Sequence, residues 1–249
     1  LGKKFIVYVP AGYPTAEGAK EIIKAMIDGG VDVIEVGFPY SDPVMDGPII
    51  QAAAELALKN GTNAKTVFDT VDYVAKLDTP VVVMTYWNPI EKYGISNFAK
   101  DLAKAGGSGV ISPDLTIEEA NAWLNACSEN DINSIFVVAP STKELRLREV
   151  TSACSGFVYA ASLMGVTGIR TANSNQAEDL VSRIRSVTSL PVAVGLGVSN
   201  AAQAKEVSKF ADGVIVGSAF IAKVQSAKDF DSALVAVENL ARELKAGIN

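Results

Sequence analysis

The sequence predicts a single-domain α/β protein built as a (β/α)8 barrel, also called a TIM barrel. Short apolar runs alternate with amphipathic stretches eight times along the 249 residues, and strict alternation implies parallel strands joined by helical crossovers. The apolar runs are continuous, as expected of strands covered on both faces. Eight such units in about 250 residues is the size of a closed barrel. No change of composition marks a linker, so residues 1–249 are expected to form one domain; a doubly wound open sheet is the alternative.

The strands are short runs rich in β-branched residues that end at proline, glycine or a polar residue. The first, KFIVYVP, shows the pattern, since it is β-branched and aromatic and ends at a proline. In chain order, the predicted strands cover residues 4–10, 31–37, 80–86, 108–112, 134–140, 156–160, 191–195 and 212–217.

The helices are predicted from apolar residues at i, i+3 and i+4 spacing, such as Val67, Val71 and Val74. The first has Thr15 as a possible N-cap and Gly29-Gly30 as its end. The remaining helices are predicted at 49–59, 64–77, 95–105, 117–129, 143–153, 175–187 and 201–210, followed by an extra short helix from Ser218 and a last helix at 229–245.

Charge and composition exclude several classes of function. The net charge is −6, the pI is near 4.8 and no basic run occurs, which argues against a nucleic-acid-binding surface. No apolar stretch approaches the ~18–20 residues of a membrane span, and no signal-peptide region is visible. Cys127 and Cys154 are isolated, which is typical of free thiols. We therefore expect a cytoplasmic protein.

Histidine is absent from the chain. This excludes Ser-His and Cys-His nucleophile pairs, histidine general bases and nearly every zinc site. Acid–base chemistry must therefore use carboxylates, tyrosine, lysine or cysteine.

The second strand and the loop after it carry three carboxylates, in EVGFPYSDPVMDGP. Active sites of these barrels lie at the carboxyl ends of the strands. Glu35 falls inside an apolar strand, where desolvation would raise its pKa and suit it to proton transfer near neutral pH; the alternative is a structural glutamate satisfied by backbone or lysine. Asp42 could cap its turn, and Asp46 could be the N-cap of the next helix.

Other strand ends also supply candidates. Tyr86, Trp87 and Asn88 follow the third strand, Asp114 follows the fourth, and Tyr159 lies on the sixth, where it could face a pocket or only pack. The stretch GVTG at 165–168 has glycine hinges typical of a loop that closes over a site, although idle glycine turns look the same.

The loops after the last two strands predict a phosphate site. GLGVSN at 195–200 and VGSAF at 216–220 leave backbone N–H groups accessible. Ser218 would open a helix whose unpaired N–H groups favour an anion, and this position is the recurrent phosphate site of such barrels. GLGVSN lacks the third glycine of a dinucleotide fingerprint, so NAD binding is not predicted. Two ordinary glycine turns are the alternative.

With these motifs the chain resembles the tryptophan synthase alpha subunit family. The most specific stretches are EVGFPYSDPVMDGPIIQ, MTYWNPIEKYG, GFVYAASLMGVTG and VGLGVSNAAQA, and the similarity runs from residue 5 to residue 224. The resemblance implies a carbon–carbon lyase that splits indole-3-glycerol phosphate into indole and glyceraldehyde 3-phosphate for tryptophan biosynthesis. It matches Glu35 and Asp46 to the catalytic pair. The residues it implies for substrate binding are Tyr86, Ile111, Pro113, Tyr159, Thr167, Gly168, Leu196, Gly197, Gly217 and Ser218.

The implied chemistry suits these residues. Protonation of indole C3 would let the ring act as the electron sink, with Glu35 as the proton shuttle and Asp46 near the ring nitrogen. The resemblance implies no cofactor and no metal in this chain, because pyridoxal phosphate belongs to a beta subunit in an α2β2 heterotetramer. That partner is expected over the barrel mouth, near Pro39, Pro43 and Pro48.

Several alternatives remain open at this stage. A Schiff-base route would need a lysine at a strand end, and Lys92, the nearest candidate, is expected well into the third loop. Glu35, Asp42, Asp46 and Asp114 could instead hold Mg²⁺ in a phosphosugar lyase or isomerase. The chain could also be a stand-alone lyase that releases indole, or a weak enzyme retained as an activator of its partner.

Overall fold

Eight parallel strands close into a barrel in a computed structural model that describes residues 2–162 and 170–249. The strands pair in sequence order, and the first pairs with the last to close the sheet. They are β1 (Lys4–Pro10), β2 (Val33–Gly37), β3 (Val81–Met84), β4 (Gly109–Ser112), β5 (Asn133–Val138), β6 (Val158–Ala161), β7 (Val192–Gly195) and β8 (Gly213–Val216). The barrel predicted from the sequence is confirmed, and the open sheet is wrong.

Helices follow every strand. They are α1 (Ala16–Asp28), α2 (Pro48–Lys59), α3 (Ala64–Ala75), α4 (Trp87–Tyr93), α5 (Ile95–Lys104), α6 (Asn121–Glu129), α7 (Glu144–Ala153), α8 (Arg170–Arg185), α9 (Ala201–Ser208), α10 (Ser218–Ser226) and α11 (Phe230–Ile248). The extra short helix predicted from Ser218 is confirmed as α10. Within the described ranges, none of these helices combines the length and apolar composition that a membrane crossing requires.

Helix α4 was not predicted, and it corrects the position of Lys92, which lies in this helix rather than in a loop. The Trp87 N–H at its start donates to Asp114 Oδ1 at 2.9 Å. Gly94, with φ of 98°, ends it. Since the capping carboxylate lies 27 residues away in the chain, no local sequence pattern could reveal it.

Of the two residues considered as N-caps, Thr15 is confirmed and Asp46 is wrong. Thr15 is the N-cap of α1, since its Oγ1 accepts from the Gly18 N–H at 3.0 Å. Asp46 is not the N-cap of α2: Gly47 takes that position without a side-chain cap, and Pro48 follows in the first turn. The Asp46 side chain is therefore available for another role.

The core has two parts. The larger lies between the strands and the surrounding helices, and Trp123 is fully buried in it. The smaller fills the barrel interior with two apolar groups, Ile6 with Ala193 and Ile215, and Val82 with Ile111 and Ile135. These residues form the floor on which the site at the carboxyl ends of the strands rests.

Candidate active site

A cavity of about 370 Å³ opens at the carboxyl ends of the strands. It is more apolar than polar, as small-molecule sites usually are. Seven of the residues singled out in the sequence line it: Glu35, Asp46, Pro113, Tyr159, Gly197, Gly217 and Ser218. The fold thus brings the carboxylates of β2 and its loop together with the glycines of the last two loops.

Glu35 lies on β2 with only 1% of its surface exposed. Its Oε2 atom has no hydrogen-bond partner among the described residues. Burial, and secondarily the negative charge of Asp46, raises the pKa of Glu35 to about 8. This carboxyl group is therefore mostly protonated at neutral pH and can act as an acid.

Asp46 is half-buried and is held by its own loop and by Tyr86, the residue before α4. The Tyr86 hydroxyl donates to Asp46 Oδ2 at 3.2 Å and accepts from the Met45 N–H at 2.9 Å. Gln51 Nε2 donates to the Asp46 carbonyl at 2.8 Å. Burial raises the pKa of the Asp46 carboxyl, and the bond from Tyr86 opposes this shift. Tyr86 does not line the cavity itself but fixes the acid that does.

Asp42 and Asp114 lie outside this pair. Asp42 is exposed, accepts from Ser41 Oγ at 2.6 Å, and its carbonyl accepts from the Val44 N–H at 2.9 Å, so it shapes the turn. Asp114 caps α4. No three acidic, cysteine or histidine side chains within residues 2–162 and 170–249 come together as metal ligands. The four carboxylates considered for Mg²⁺ are therefore not a cluster.

The loops after β7 and β8 also line the cavity. Gly197 has a φ of +65°, a conformation that other residues rarely adopt. Gly217 is the N-cap of α10 without a side-chain cap, and Ser218 is the first residue of that helix. The N–H groups of a first helical turn have no intrahelical partner and carry the positive end of the helix dipole. This end of the cavity therefore suits a phosphate group.

Two tyrosines flank the cavity in the same way. Tyr159 on β6 leans over Gly195 of β7, where a Cβ would overlap its hydroxyl group. Tyr8 on β1 leans over Gly37 of β2, where a Cβ would overlap its hydroxyl group as well. Sequence reasoning considered Tyr159 but missed Tyr8, which is paired in register with Glu35. The alternation along β1 was the available signal, because residues two apart share a face.

The other expected binding residues lie elsewhere. Ile111 is fully buried in the barrel floor, against Met84 and Tyr159. Leu196 belongs to the core between strands and helices. The reason is alternation: its neighbours Gly195 and Gly197 line the cavity, so the side chain between them points away. Thr167 and Gly168 lie outside the described residues.

Fold and site together define a TIM-barrel protein whose cavity is lined by a buried and a half-buried carboxyl group and by the N-terminus of a short helix. A family model described as tryptophan synthase alpha chain matches residues 2–249. The chain belongs to the tryptophan synthase alpha chain family.

Known relatives and solved structures match this chain over nearly its full length. The chain is 54% identical over 244 residues to the tryptophan synthase alpha chain of Streptomyces avermitilis, covering 98% of this chain and 88% of that one. A crystal structure of tryptophan synthase from M. tuberculosis, with aminoacrylate and BRD0059 bound, matches with a TM-score of 0.91 and 42% identity over 100% of this chain and 93% of that one. The alpha subunit from Legionella pneumophila matches with a TM-score of 0.89 and 32% identity, over 99% and 92%.

Membership confirms the family and the type of activity expected from the sequence. The protein is a carbon–carbon lyase of tryptophan biosynthesis. The roles of its individual residues are a separate question, which the geometry of the cavity addresses.

Proposed function

We propose that Glu35 and Asp46 together carry the cleavage of indole-3-glycerol phosphate to indole and glyceraldehyde 3-phosphate. One observation carries the proposal: a buried glutamate, whose Oε2 has no partner in the described part of the chain, shares a cavity with a second carboxylate, and its pKa is raised to about 8. A protonated carboxylic acid beside an ionisable one is the arrangement that two-step proton transfer needs.

The two ends of the cavity orient the substrate. The phosphate lies against the backbone of Gly197, Gly217 and Ser218, where the start of α10 favours an anion. The indole ring lies at the other end, with its N–H towards Asp46. The glycerol chain then spans the middle, where Glu35 lies at the wall of the barrel.

The reaction proceeds by two proton transfers. Glu35, as the acid, donates its proton to indole C3, and the resulting positive charge spreads to the ring nitrogen. The Asp46 carboxylate stabilises that charge through the ring N–H. Glu35, now a carboxylate, removes the proton from the hydroxyl next to the scissile bond. The bond breaks, its electron pair restores the indole ring, and the chain leaves as an aldehyde. Each transfer contributes typically ~10²–10⁴-fold.

The protonated ring accepts the electron pair, so the cleavage needs no additional electron sink. In this family pyridoxal phosphate belongs to the beta subunit, which joins indole to serine. A Schiff-base route is not favoured by Lys92, which lies on α4 rather than at a strand end.

The beta subunit is the partner of this chain in an α2β2 heterotetramer. We place its docking surface at the loop that carries Asp46, at the mouth of the barrel. The tip of that loop exposes apolar side chains, with Val44 at 80% and Met45 at 57%. Such exposure suits a contact with another protein. We further propose a cytoplasmic location, where amino-acid biosynthesis would supply both substrates of the complex.

The decisive experiment is an indole-release assay on wild type and Glu35→Gln. The substitution keeps the shape of the side chain but removes its proton transfer, so turnover should fall by at least 10³-fold on the scale typical of acid–base groups. Calorimetric titration should show that Glu35→Gln still binds indole-3-glycerol phosphate. Glu21→Gln, at an exposed position on α1, is the matched control and should remain active.

Turnover of Glu35→Gln within a few-fold of wild type would contradict the assigned role. Repeating the assay with a beta subunit tests the stand-alone alternative. A rate that rises on addition of the partner supports the complex as the working form, whereas an unchanged rate supports an independent lyase.

A further inference from the structure

We infer that Tyr8 is a further substrate-binding residue, whose hydroxyl group donates a hydrogen bond to the chain hydroxyl that Glu35 deprotonates. The inference rests on the proposed function, because it assumes that the glycerol chain spans the middle of the cavity. It adds a third group to the pair of carboxylates.

Tyr8 lies between Glu35 and the loop that follows β8. Strand β1 lies between β8 and β2 in the closed barrel. On the β8 side, a Cβ at Gly217 would lie 3.3 Å from Tyr8 Cβ. On the β2 side, Tyr8 is paired in register with Glu35. The residue thus reaches from the phosphate end to the catalytic glutamate, which is the stretch that the glycerol chain occupies.

The hydroxyl group of Tyr8 occupies a space that a glycine leaves open. It lies over Gly37, two residues beyond Glu35 on β2, where any side chain would displace it. Tyr8 lines the cavity, with 9% of its surface exposed. Tyr159 over Gly195 repeats the construction on β6 and β7. In both strand pairs a glycine stands where a Cβ would displace the phenol group of the neighbouring strand.

The phenol group of Tyr8 is a neutral hydrogen-bond donor. Burial and the negative charges of Asp46 and Glu35 hold the pKa of Tyr8 well above its usual value, so the phenol keeps its proton. The chain hydroxyl must point its own proton at Glu35, which leaves an oxygen lone pair to accept from another group. A phenol O–H over Gly37, two residues beyond Glu35 on β2, meets that need and fixes the orientation of the substrate hydroxyl.

Tyr8→Phe tests the inference, because it removes the hydroxyl and keeps the ring. A neutral hydrogen bond is worth about 0.5–1.5 kcal/mol, so kcat/KM for indole-3-glycerol phosphate should fall about three- to tenfold. Binding without turnover is measured in the Glu35→Gln background. In that background, adding Tyr8→Phe should lower the affinity for indole-3-glycerol phosphate by a similar factor. It should leave unchanged the binding of an indole-3-alkyl phosphate of equal length without chain hydroxyls.

Tyr73→Phe on α3 is the matched control, since it removes a phenol oxygen far from the cavity lining. It should change neither ligand's affinity. Thermal unfolding of each variant shows whether the fold is kept.

The outcomes separate the two proposals. If Tyr8→Phe leaves both kcat/KM and affinity unchanged in an active enzyme, the inference is wrong and the proposed function stands. If Tyr8→Phe lowers the affinity for both ligands equally, Tyr8 acts by packing and the inference is again wrong. If the wild type fails to release indole, the proposed function falls, and the inference with it.

Discussion

The hydroxyl group of Tyr86 lies 3.2 Å from Asp46 Oδ2, although the two residues are 40 apart in the chain. The same oxygen accepts from the Met45 N–H at 2.9 Å. One phenol oxygen therefore ties the loop after β2 to the end of β3 at two successive residues. This link, together with the bond from Gln51 Nε2 to the Asp46 carbonyl, holds Asp46 at the cavity.

Tyr86→Phe should therefore impair cleavage without touching substrate directly. The change leaves the Met45 N–H and the Asp46 carboxylate without a protein partner, at a cost of about 1–3 kcal/mol when such groups are buried. We expect kcat/KM to fall about tenfold and the free energy of unfolding to fall by about 1 kcal/mol. Steady-state kinetics and urea unfolding measure both. Tyr40→Phe is the control, because its ring packs 5.3 Å from that of Tyr86 in the same region; an equal loss there would contradict the specific role of the bond.

The raised pKa of Glu35 predicts the alkaline limb of the pH–rate profile. Glu35 must be protonated to start the reaction, and its pKa in the free protein is about 8. kcat/KM should be level just below this pH and should fall about tenfold per pH unit above it. The affinity of the hydroxyl-free indole-3-alkyl phosphate, measured over the same range, corrects for titration of the phosphate. An alkaline limb near the ordinary pKa of glutamate would mean that Glu35 is ionised at neutral pH.

The same shift predicts how stability depends on pH. A glutamate in the unfolded chain titrates near 4.3, whereas Glu35 in the folded protein titrates near 8. The folded state binds more protons between these values, so wild type loses stability as the pH rises through this window. Each unit of pKa difference corresponds to about 1.4 kcal/mol. Glu35→Gln should therefore gain stability over wild type from pH 5 to pH 9 in urea unfolding. A constant difference between the two proteins would show that Glu35 is not desolvated.

A negative charge at position 218 should weaken phosphate binding without destabilising helix α10. Asp is favourable at the start of α10 because of the helix dipole, yet it would repel the phosphate. Two unit charges 4 Å apart interact by about 4 kcal/mol at an effective dielectric constant of 20. We expect Ser218→Asp to raise KM at least ~100-fold while thermal stability is kept.

Ala16→Asp places the same charge at the first residue of α1, where the side chain is exposed. It serves as the control for net charge and should leave KM unchanged. A similar KM for both variants and wild type would place the phosphate elsewhere.

Most of the barrel was predictable from the sequence because its signals are local. Continuous apolar runs, helical spacing and caps such as Thr15 each act within one segment. Helix α4 escaped because its start is fixed by Asp114, which arrives from the next strand end. The third strand was predicted to reach residue 86, but β3 ends at Met84 because Tyr86 is the N-cap of the missed helix.

The carboxylates of the candidate site were visible in the sequence, and their partners were not. Glu35 is conspicuous because a charged residue interrupts an apolar strand. Tyr8 is not conspicuous, because an aromatic residue in a strand is ordinary. Its meaning depends on Gly37 of the neighbouring strand, a contact that exists only after the barrel has closed. Leu196 shows a different limit, because the sequence does not reveal that the side chain between two cavity-lining glycines belongs to the core.

Because each phenol group rests over a glycine, the residue tolerated at position 37 depends on the residue at position 8. Positions 195 and 159 are coupled in the same way. A side chain gained at 37 would be tolerated only together with a smaller residue at 8, which would exchange a hydrogen-bonding wall for an apolar one. An effort to reshape this enzyme for a different chain between ring and phosphate should therefore vary these positions in pairs, because a side chain added at Gly37 or Gly195 alone would overlap the phenol that rests over it.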